Sequence, residues 1–164
     1  MNRRIGVGAA LGVLLLAATC AGSGPPPSRF PARGDVLRAA GLRASAQLVV
    51  GRTRRSDLVG LWQSVLWADG YSDRSGVTCS YDRAVAAVTQ VWQSNHRLAP
   101  DGIVGPATWG AALARLVPVG RWTVYQGERH DLPLWVDRGG AYEVDDEGAF
   151  HRLYTDTVTL ALCR

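Results

Sequence analysis

The stretch Pro-Asp-Gly-Ile-Val-Gly-Pro-Ala-Thr-Trp, residues 100–109, carries the strongest local signals in the chain. Gly102 follows an aspartate, and because glycine tolerates positive φ, this dipeptide suits a tight turn. Pro106 has no backbone N–H and a fixed φ, so it fits the first turn of a helix. Apolar residues at helical spacing continue as far as Leu116. The stretch therefore predicts a tight turn that leads into a short helix over residues 106–116.

Two similar tetrapeptides precede this turn, Leu-Trp-Gln-Ser at 61–64 and Val-Trp-Gln-Ser at 91–94. They form a degenerate internal repeat. Around the first, apolar residues recur at helical spacing after Ser56, a candidate N-cap. Around the second, the predicted apolar helix face comprises Tyr81, Ala84, Val85, Val88, Val91 and Trp92.

Three short helices of this kind are not stable singly and must pack together. We expect Trp62, Trp92 and Trp109 to form their common core. Trp67 lies off the apolar stripe of the first helix, so it is the tryptophan of this unit that we expect to be exposed.

The turn signature, together with both Trp-Gln pairs, resembles the small three-helix peptidoglycan-binding domain family over residues 56–116. In that family a second Asp-Gly-x-Phe-Gly turn often precedes the second helix. Here residues 77–82 stand instead, with Tyr81 in the aromatic place and Asp82 in the place of the last glycine. This departure leaves the binding role of that loop open, and a disulfide could fasten the loop in place of the turn.

The resemblance implies a non-catalytic module that binds peptidoglycan in a groove between the 101–108 turn and the loop joining the first two helices. For Gly102 and Thr108 a purely structural role fits equally well. The ligand-binding residues that the resemblance implies are Tyr71, Arg74, Asp101, Gly102, Thr108 and Trp109.

From Val119 onward the apolar period changes to two, and turn signals separate the alternating segments. This pattern predicts an antiparallel β-meander of four or five strands, the last one carrying Val158, Leu160 and Leu162. Such a thin sheet needs a second layer, so we expect it to pack on the helices. The predicted fold class is α+β, a three-helix bundle followed by a small antiparallel β-meander.

Residues 1–21 predict a secretion signal, because Arg3 and Arg4 precede an uncharged apolar run that is too short to span a membrane comfortably. Two cleavage positions fit. In one, the signal ends at residue 19 and Cys20 is lipidated, as in lipoproteins; in the other, cleavage follows Ala21. The predicted organisation continues with a Pro-rich linker over 22–34, a helical domain over 35–118 and a β-rich region over 119–164.

Cysteine count and charge fit an exported protein. Besides Cys20 the chain has Cys79 and Cys163, an even remainder that predicts a disulfide. The bond would close a loop of about 84 residues, for which chain entropy gives about 4 to 5 kcal/mol. Residues 22–118 carry 11 arginines against 6 acids, and residues 119–164 carry 5 against 8. A modestly basic first part favours an anionic wall polymer, although an ordinary solvated surface fits equally well.

The sequence offers no convergent catalytic or metal-binding motif. His96, His130 and His151 are scattered, and no Cys-x-x-Cys, Gly-x-Ser-x-Gly, phosphate-loop or His-Glu-x-x-His pattern occurs. The acidic run at 145–147 lacks the spacing of a calcium loop and predicts a hairpin turn. We therefore expect no catalytic residue, no metal and no cofactor.

Two functions from different classes stay open. The first is a non-catalytic, exported cell-wall protein with peptidoglycan as its partner. The second is a secreted protein that binds or inhibits another secreted wall protein and uses the helical module as a scaffold. The export signal and the acidic C-terminal part exclude nucleic acid as the expected partner. Membrane contact is expected only through a lipid on Cys20.

Overall fold

The computed structural model describes residues 34–38, 41–42 and 47–163. The predicted signal, Cys20 and residues 22–33 of the predicted linker lie outside this range. Within the described ranges, no helix combines the length and the apolar character needed to cross a bilayer.

Residues 41–42 are helical, and after them the described part of the chain contains three longer α-helices, joined by loops of which one contains a short 3-10 turn, Arg74–Gly76. Their bounds are α1, Asp57–Ala68; α2, Arg83–Asn95; and α3, Pro106–Leu113. Asp82 caps α2, since its side chain accepts a hydrogen bond from the backbone N–H of Val85 at 2.9 Å. The third helix is shorter than predicted because Leu116 already belongs to the sheet.

The tryptophans of the helices form the predicted core. Trp62 lies at its centre, with its ring centroid 5.1 Å from that of Trp92 and 5.4 Å from that of Trp109, both in edge-to-face geometry. All three side chains are at most 1% exposed. Edge-to-face pairs of this kind add to the stabilisation that burial alone provides.

The buried face of α2 differs from the prediction. Ala84 and Val91 are exposed, Val91 at 53%, whereas Thr89 and Gln93 are buried. Buried polar groups are tolerated when they are hydrogen-bonded, and Thr89 accepts a bond from the Trp62 indole Nε1 at 2.9 Å. Helix α2 therefore turns a partly polar face inward because its neighbours supply the partners.

A five-stranded antiparallel sheet follows, with its strands in sequence order β1-β2-β3-β4-β5. The hairpin between β4 and β5 has positive φ at Glu147 and Gly148, so the acidic run forms the predicted turn. The α+β fold class is confirmed. The strand bounds are β1, Leu116–Val119; β2, Trp122–Gln126; β3, Asp131–Val136; β4, Tyr142–Asp146; and β5, Ala149–Arg152.

The predicted strand over 158–162 is wrong, because the backbone N–H groups there bond to two buried carboxylates instead of a neighbouring strand. Asp57 accepts from Thr159 N at 2.7 Å and Leu160 N at 3.2 Å. Asp146 accepts from the backbone N–H groups of Ala161 and Leu162. Burial raises the pKa of Asp57 above its usual range, and the hydrogen bonds from Thr159 and Leu160 offset only part of this rise. The segment ends in a 3-10 turn, Ala161–Cys163.

The sheet is docked on the helices, as predicted. The carbonyl of Ala68, at the end of α1, accepts bonds from the backbone N–H groups of Arg129 and His130, both at 2.9 Å. Buried apolar residues of α1 and of strands β2 to β4 belong to one continuous core. The two regions therefore share a single hydrophobic interior.

Residues before α1 also pack on this body. Leu48 pairs with Val104 in an isolated bridge, and Val36 pairs with Tyr154. Residues 36–38 are therefore extended where they meet the sheet.

Cys79 and Cys163 form a disulfide, with their Cα atoms 5.4 Å apart. Both are buried, and a Cβ atom on Gly60 of α1 would lie 2.5 Å from Cys79 Sγ. The bridge therefore ties the C-terminal segment to the loop before α2 across the face of α1. Cys163 stands in the final 3-10 turn and not on a strand.

We predict that Cys163→Ser lowers the free energy of unfolding by about 2 to 5 kcal/mol, because the unfolded chain regains the freedom of a long loop. Chemical denaturation of oxidised wild type and variant measures the change. Thiol counting on unfolded, unreduced protein is the control. Two free thiols from residues 79 and 163, or equal denaturation curves, would contradict the bridge.

Candidate functional site

The glutamine of each Trp-Gln pair holds the turn that follows its helix in place through side-chain hydrogen bonds. Gln93 Oε1 accepts from Gly102 N at 2.9 Å. Its Nε2 donates to Asp101 Oδ1 and Ile103 O, both at 2.9 Å, and to Thr108 Oγ1 at 3.0 Å. One buried amide thus fixes the three residues of the signature turn and the first turn of α3.

Gln63 makes the corresponding bonds thirty residues earlier. Its Oε1 accepts from Thr78 N and Cys79 N, at 3.0 and 2.7 Å. Its Nε2 donates to Thr78 Oγ1 and Ser80 O, both at 3.2 Å. Residues 78–80 therefore take the same places around Gln63 as residues 101–103 take around Gln93.

The turn at residues 78–80 therefore has the same conformation as the signature turn, although it lacks the Asp-Gly dipeptide. Cys79 has φ +57° and Gly102 has φ +69°, so both occupy the left-handed region at equivalent positions. A non-glycine residue there costs about 1 to 2 kcal/mol. At Cys79 the disulfide and the bond to Gln63 hold the residue in place.

Three of the six candidate binding residues lie inside the protein. Gly102 is buried, and a Cβ there would lie 3.1 Å from the carbonyl oxygen of Ala86. Thr108 is bonded to Gln93, and Trp109 packs on Trp62. Their contacts shape the turn from within, and their side chains present almost no surface to a ligand.

Asp101 is exposed at the tip of the turn. Its Oδ1 accepts from Gln93 Nε2 and from the backbone N–H of Ile103, at 2.9 and 2.8 Å. The carboxylate therefore both shapes the turn and presents a negative charge to solvent.

Tyr71 and Arg74 lie together on the loop after α1. The Tyr71 hydroxyl accepts a bond from Asn95 Nδ2 at 2.8 Å, and Arg74 is exposed. Asn95 and Gln93 are two positions apart on α2, about 200° around the helix axis. Tyr71 and Asp101 consequently meet α2 on different sides, and their contacts do not bring them into one groove.

Trp67, His130 and Arg74 form a stacked cluster beside this loop, and the sequence predicted only part of it. The Trp67 ring stacks on His130 with centroids 4.6 Å apart, and the Arg74 guanidinium carbon lies 4.9 Å from the Trp67 centroid. Trp67, which we expected to be exposed, is half-buried, although it is less buried than the three core tryptophans. No sequence signal indicated that the sheet supplies His130 as its partner.

A second cluster joins helices and sheet around the buried Asp69. Its carboxylate accepts from Trp92 Nε1 at 2.7 Å, from the Tyr125 hydroxyl at 2.6 Å and from Glu128 N at 3.0 Å. Arg115 Nη2 lies 3.7 Å from Asp69 Oδ1. Burial and the neighbouring Asp69 carboxylate raise the pKa of Tyr125, so its hydroxyl stays a neutral donor.

His96 borders this cluster, and the contacts of its ring nitrogens indicate whether it has a structural or a catalytic role. Its Nδ1 lies 2.8 Å from Trp92 O, and because a carbonyl only accepts, Nδ1 carries the proton. Its Nε2 lies 3.4 Å from Arg115 Nη1, and its ring stacks on Trp92. These contacts engage both ring nitrogens and give His96 a structural role at the junction.

Tyr81 supports the signature turn from the opposite side. Its hydroxyl donates to Gly102 O at 2.8 Å. Burial raises the pKa of Tyr81 to about 12, so the donor is retained at neutral pH. Across residues 34–38, 41–42 and 47–163, no three His, Cys, Asp or Glu side chains converge as a metal site would require.

Comparison with known proteins identifies the helical unit. Residues 55–112 match the family described as a putative peptidoglycan binding domain. No curated protein and no solved structure matched the chain. The family resemblance of the helical unit is confirmed, and the sheet stands outside the matched residues.

We predict that Gly102→Ala lowers the free energy of unfolding by at least about 1 kcal/mol, because a Cβ is strained at positive φ and meets the Ala86 carbonyl. Gly110→Ala is the matched control, since a Cβ at this exposed helical position meets no atom within 4 Å. That change should raise stability by about 0.5 to 1 kcal/mol. Denaturation of the two variants side by side checks both signs, and a neutral Gly102→Ala would show that the turn relaxes.

Proposed function

We propose that this protein is an exported, non-catalytic cell-wall protein that binds peptidoglycan through its helical unit. The observation that carries the proposal is the family match over residues 55–112. Both glutamine-fastened turns support it, because the unit keeps the local geometry on which the family signature depends. The cell envelope is the corresponding location.

Export is supported from both ends of the chain. Arg3 and Arg4 with the apolar run that follows them suit a secretion signal. The bond between Cys79 and Cys163 is of a kind that persists in oxidising compartments. Lipidation of Cys20 would add a membrane anchor, and cleavage after Ala21 would release the protein into the wall.

The half-buried Tyr71 and the exposed Arg74 and Asp101 are the residues that would contact the ligand. Tyr71 and Arg74 supply an aromatic edge and a guanidinium on the loop after α1, and Asp101 supplies a carboxylate on the signature turn. Sugar faces, amides and carboxylates of the wall polymer match such groups. Gly102, Thr108 and Trp109 contribute by holding the turn in shape.

The alternative, a protein that binds or inhibits another secreted protein, is favoured by one feature of the sheet. On its outer face, the Trp122 centroid lies 5.5 Å from that of Trp135 and 5.2 Å from that of Phe150, and all three rings are half-buried. Aromatic residues are enriched in the cores of protein interfaces. A protein partner would use this face and not the helical loop.

We predict that the protein sediments with insoluble peptidoglycan and that Tyr71→Ala and Asp101→Ala reduce the bound fraction without unfolding the chain. Asp101→Asn separates charge from shape, because an amide oxygen can keep the bonds from Gln93 and Ile103. Arg83→Gln, exposed at the start of α2, is the control. Failure of the wild type to sediment would refute the proposal, and unchanged binding by both alanine variants would move the site elsewhere.

We predict that the protein purified from cells begins at Cys20 or at Gly22. Mass spectrometry of the membrane fraction distinguishes the two, since only lipoprotein processing leaves an acylated Cys20. An intact Met1 terminus on cytoplasmic protein would contradict export.

A further inference from the structure

A pocket of about 340 Å³ lies where the end of α1 and the Arg74–Gly76 turn meet one end of the sheet. Trp67 and Arg74 form its helical side, and β3, β4 and the hairpin after β4 form the other. Its volume falls in the range of small-ligand sites. Seven of its nine lining residues belong to the sheet and the β4–β5 hairpin, so the helical unit alone does not form the pocket.

The helical side presents a positively charged group held in place. Trp67 is fixed by its stack on His130, and Arg74 lies over the Trp67 ring. A cation–π contact orients a guanidinium without neutralising it. Within the described residues, no carboxylate oxygen lies within 4.0 Å of an Arg74 nitrogen. Its N–H donors are therefore available to an anion.

The sheet side presents three exposed carboxylates, those of Asp131, Asp145 and Glu147. None of them forms an ion pair with a described basic residue. Asp145 Oδ1 accepts from Gly148 N at 2.9 Å, which keeps the hairpin carboxylate beside the pocket. Arg74 and Asp145 thus line one pocket with opposite charges that do not contact each other.

We propose that this pocket binds a peptide unit carrying both a free amino group and a free carboxylate, with the carboxylate at Arg74 and the amino group among Asp131, Asp145 and Glu147. Guanidinium and carboxylate pair in a bidentate geometry. The walls made by Trp67, Leu132 and Pro133 suit the aliphatic part between the two ends. If the protein binds peptidoglycan as proposed above, the stem peptide is the part of the polymer that binds here.

The charges that line the pocket predict which end of the ligand contributes more to binding. Three carboxylates face one guanidinium, so the amino group of the ligand should contribute more than its carboxylate. A ligand with two carboxylates and no amine should be excluded by repulsion from the sheet side.

The test is calorimetric titration of the purified protein with a synthetic stem tetrapeptide that has a free side-chain amine and a free terminal carboxylate. Acetylating the amine should weaken binding about tenfold or more, and amidating the carboxylate should weaken it less. These two arms need no protein variant, so they stay informative if a variant misfolds. Absence of binding by the free peptide, or equal binding of all three peptides, would overturn the inference.

Protein variants then locate the site. Arg74→Gln should abolish the difference between the free and the amidated peptide, and Asp145→Asn should reduce the difference between the free and the acetylated one. Asp156→Asn is the matched control, because Asp156 is exposed and its Oδ1 likewise accepts one backbone N–H, that of Asp35. Arg83→Gln serves the same purpose for Arg74. Unchanged discrimination in both pocket variants would place the peptide elsewhere and refute the assignment.

Sedimentation separates this inference from the proposed function. A protein that sediments with peptidoglycan stripped of stem peptides, yet binds no soluble peptide, retains the proposed function and loses this pocket. Conversely, binding of the soluble peptide with the predicted charge dependence, without sedimentation, supports the pocket and refutes wall binding.

Discussion

The fold of the helical unit depends on one interaction used twice, a buried glutamine amide that hydrogen-bonds a three-residue turn. Gln63 and Gln93 each use both side-chain atoms, with the oxygen receiving backbone N–H groups and the nitrogen donating to oxygens of the turn. Leaving such groups unpaired in the interior costs about 1 to 3 kcal/mol each. The turns therefore have little freedom to move away from the helices, and the groups exposed on them are held in fixed positions.

The two turns place different residues in the same left-handed backbone conformation. At 102 a glycine takes positive φ with little strain, whereas at 79 a cysteine is held in the same region. The strain at Cys79 is tolerated because its N–H bonds to Gln63 and its sulfur to Cys163. The disulfide thus lies at one of the glutamine-fastened turns and connects that turn to the end of the chain.

Buried carboxylates join the rest of the chain to this unit. Asp57 receives the backbone of the C-terminal segment, and Asp69 receives donors from α2, β2 and the β2–β3 turn. Each lies at an end of α1, so this helix is the element on which both attachments converge. The pocket beside Trp67 follows from that attachment, since it forms only where the sheet end meets α1.

Local sequence patterns were sufficient to predict most of the secondary-structure elements and the α+β class. Helical periodicity, the Trp-Gln repeat and the Asp-Gly turn were sufficient for the three helices and the tryptophan core, and the even cysteine remainder was sufficient for the bond between Cys79 and Cys163. These features depend on neighbours close in the chain or on residue counts. Alternating apolar residues likewise predicted the antiparallel sheet.

The pairing of polar groups depended on contacts between residues that are distant in the chain. Thr89 could be buried in place of Val91 because Trp62 lies opposite, and residues 158–162 left the strand pattern because Asp57 and Asp146 bind their N–H groups. Tertiary contacts also decided which candidate residues face solvent, since Thr108 and Trp109 turn inward while Asp101 stays outside. The juxtaposition of Arg74 with the acidic hairpin joins residues more than seventy positions apart. Periodicity reports which face of an element is apolar, but it carries no information about the distant donor or charge that will lie against that face.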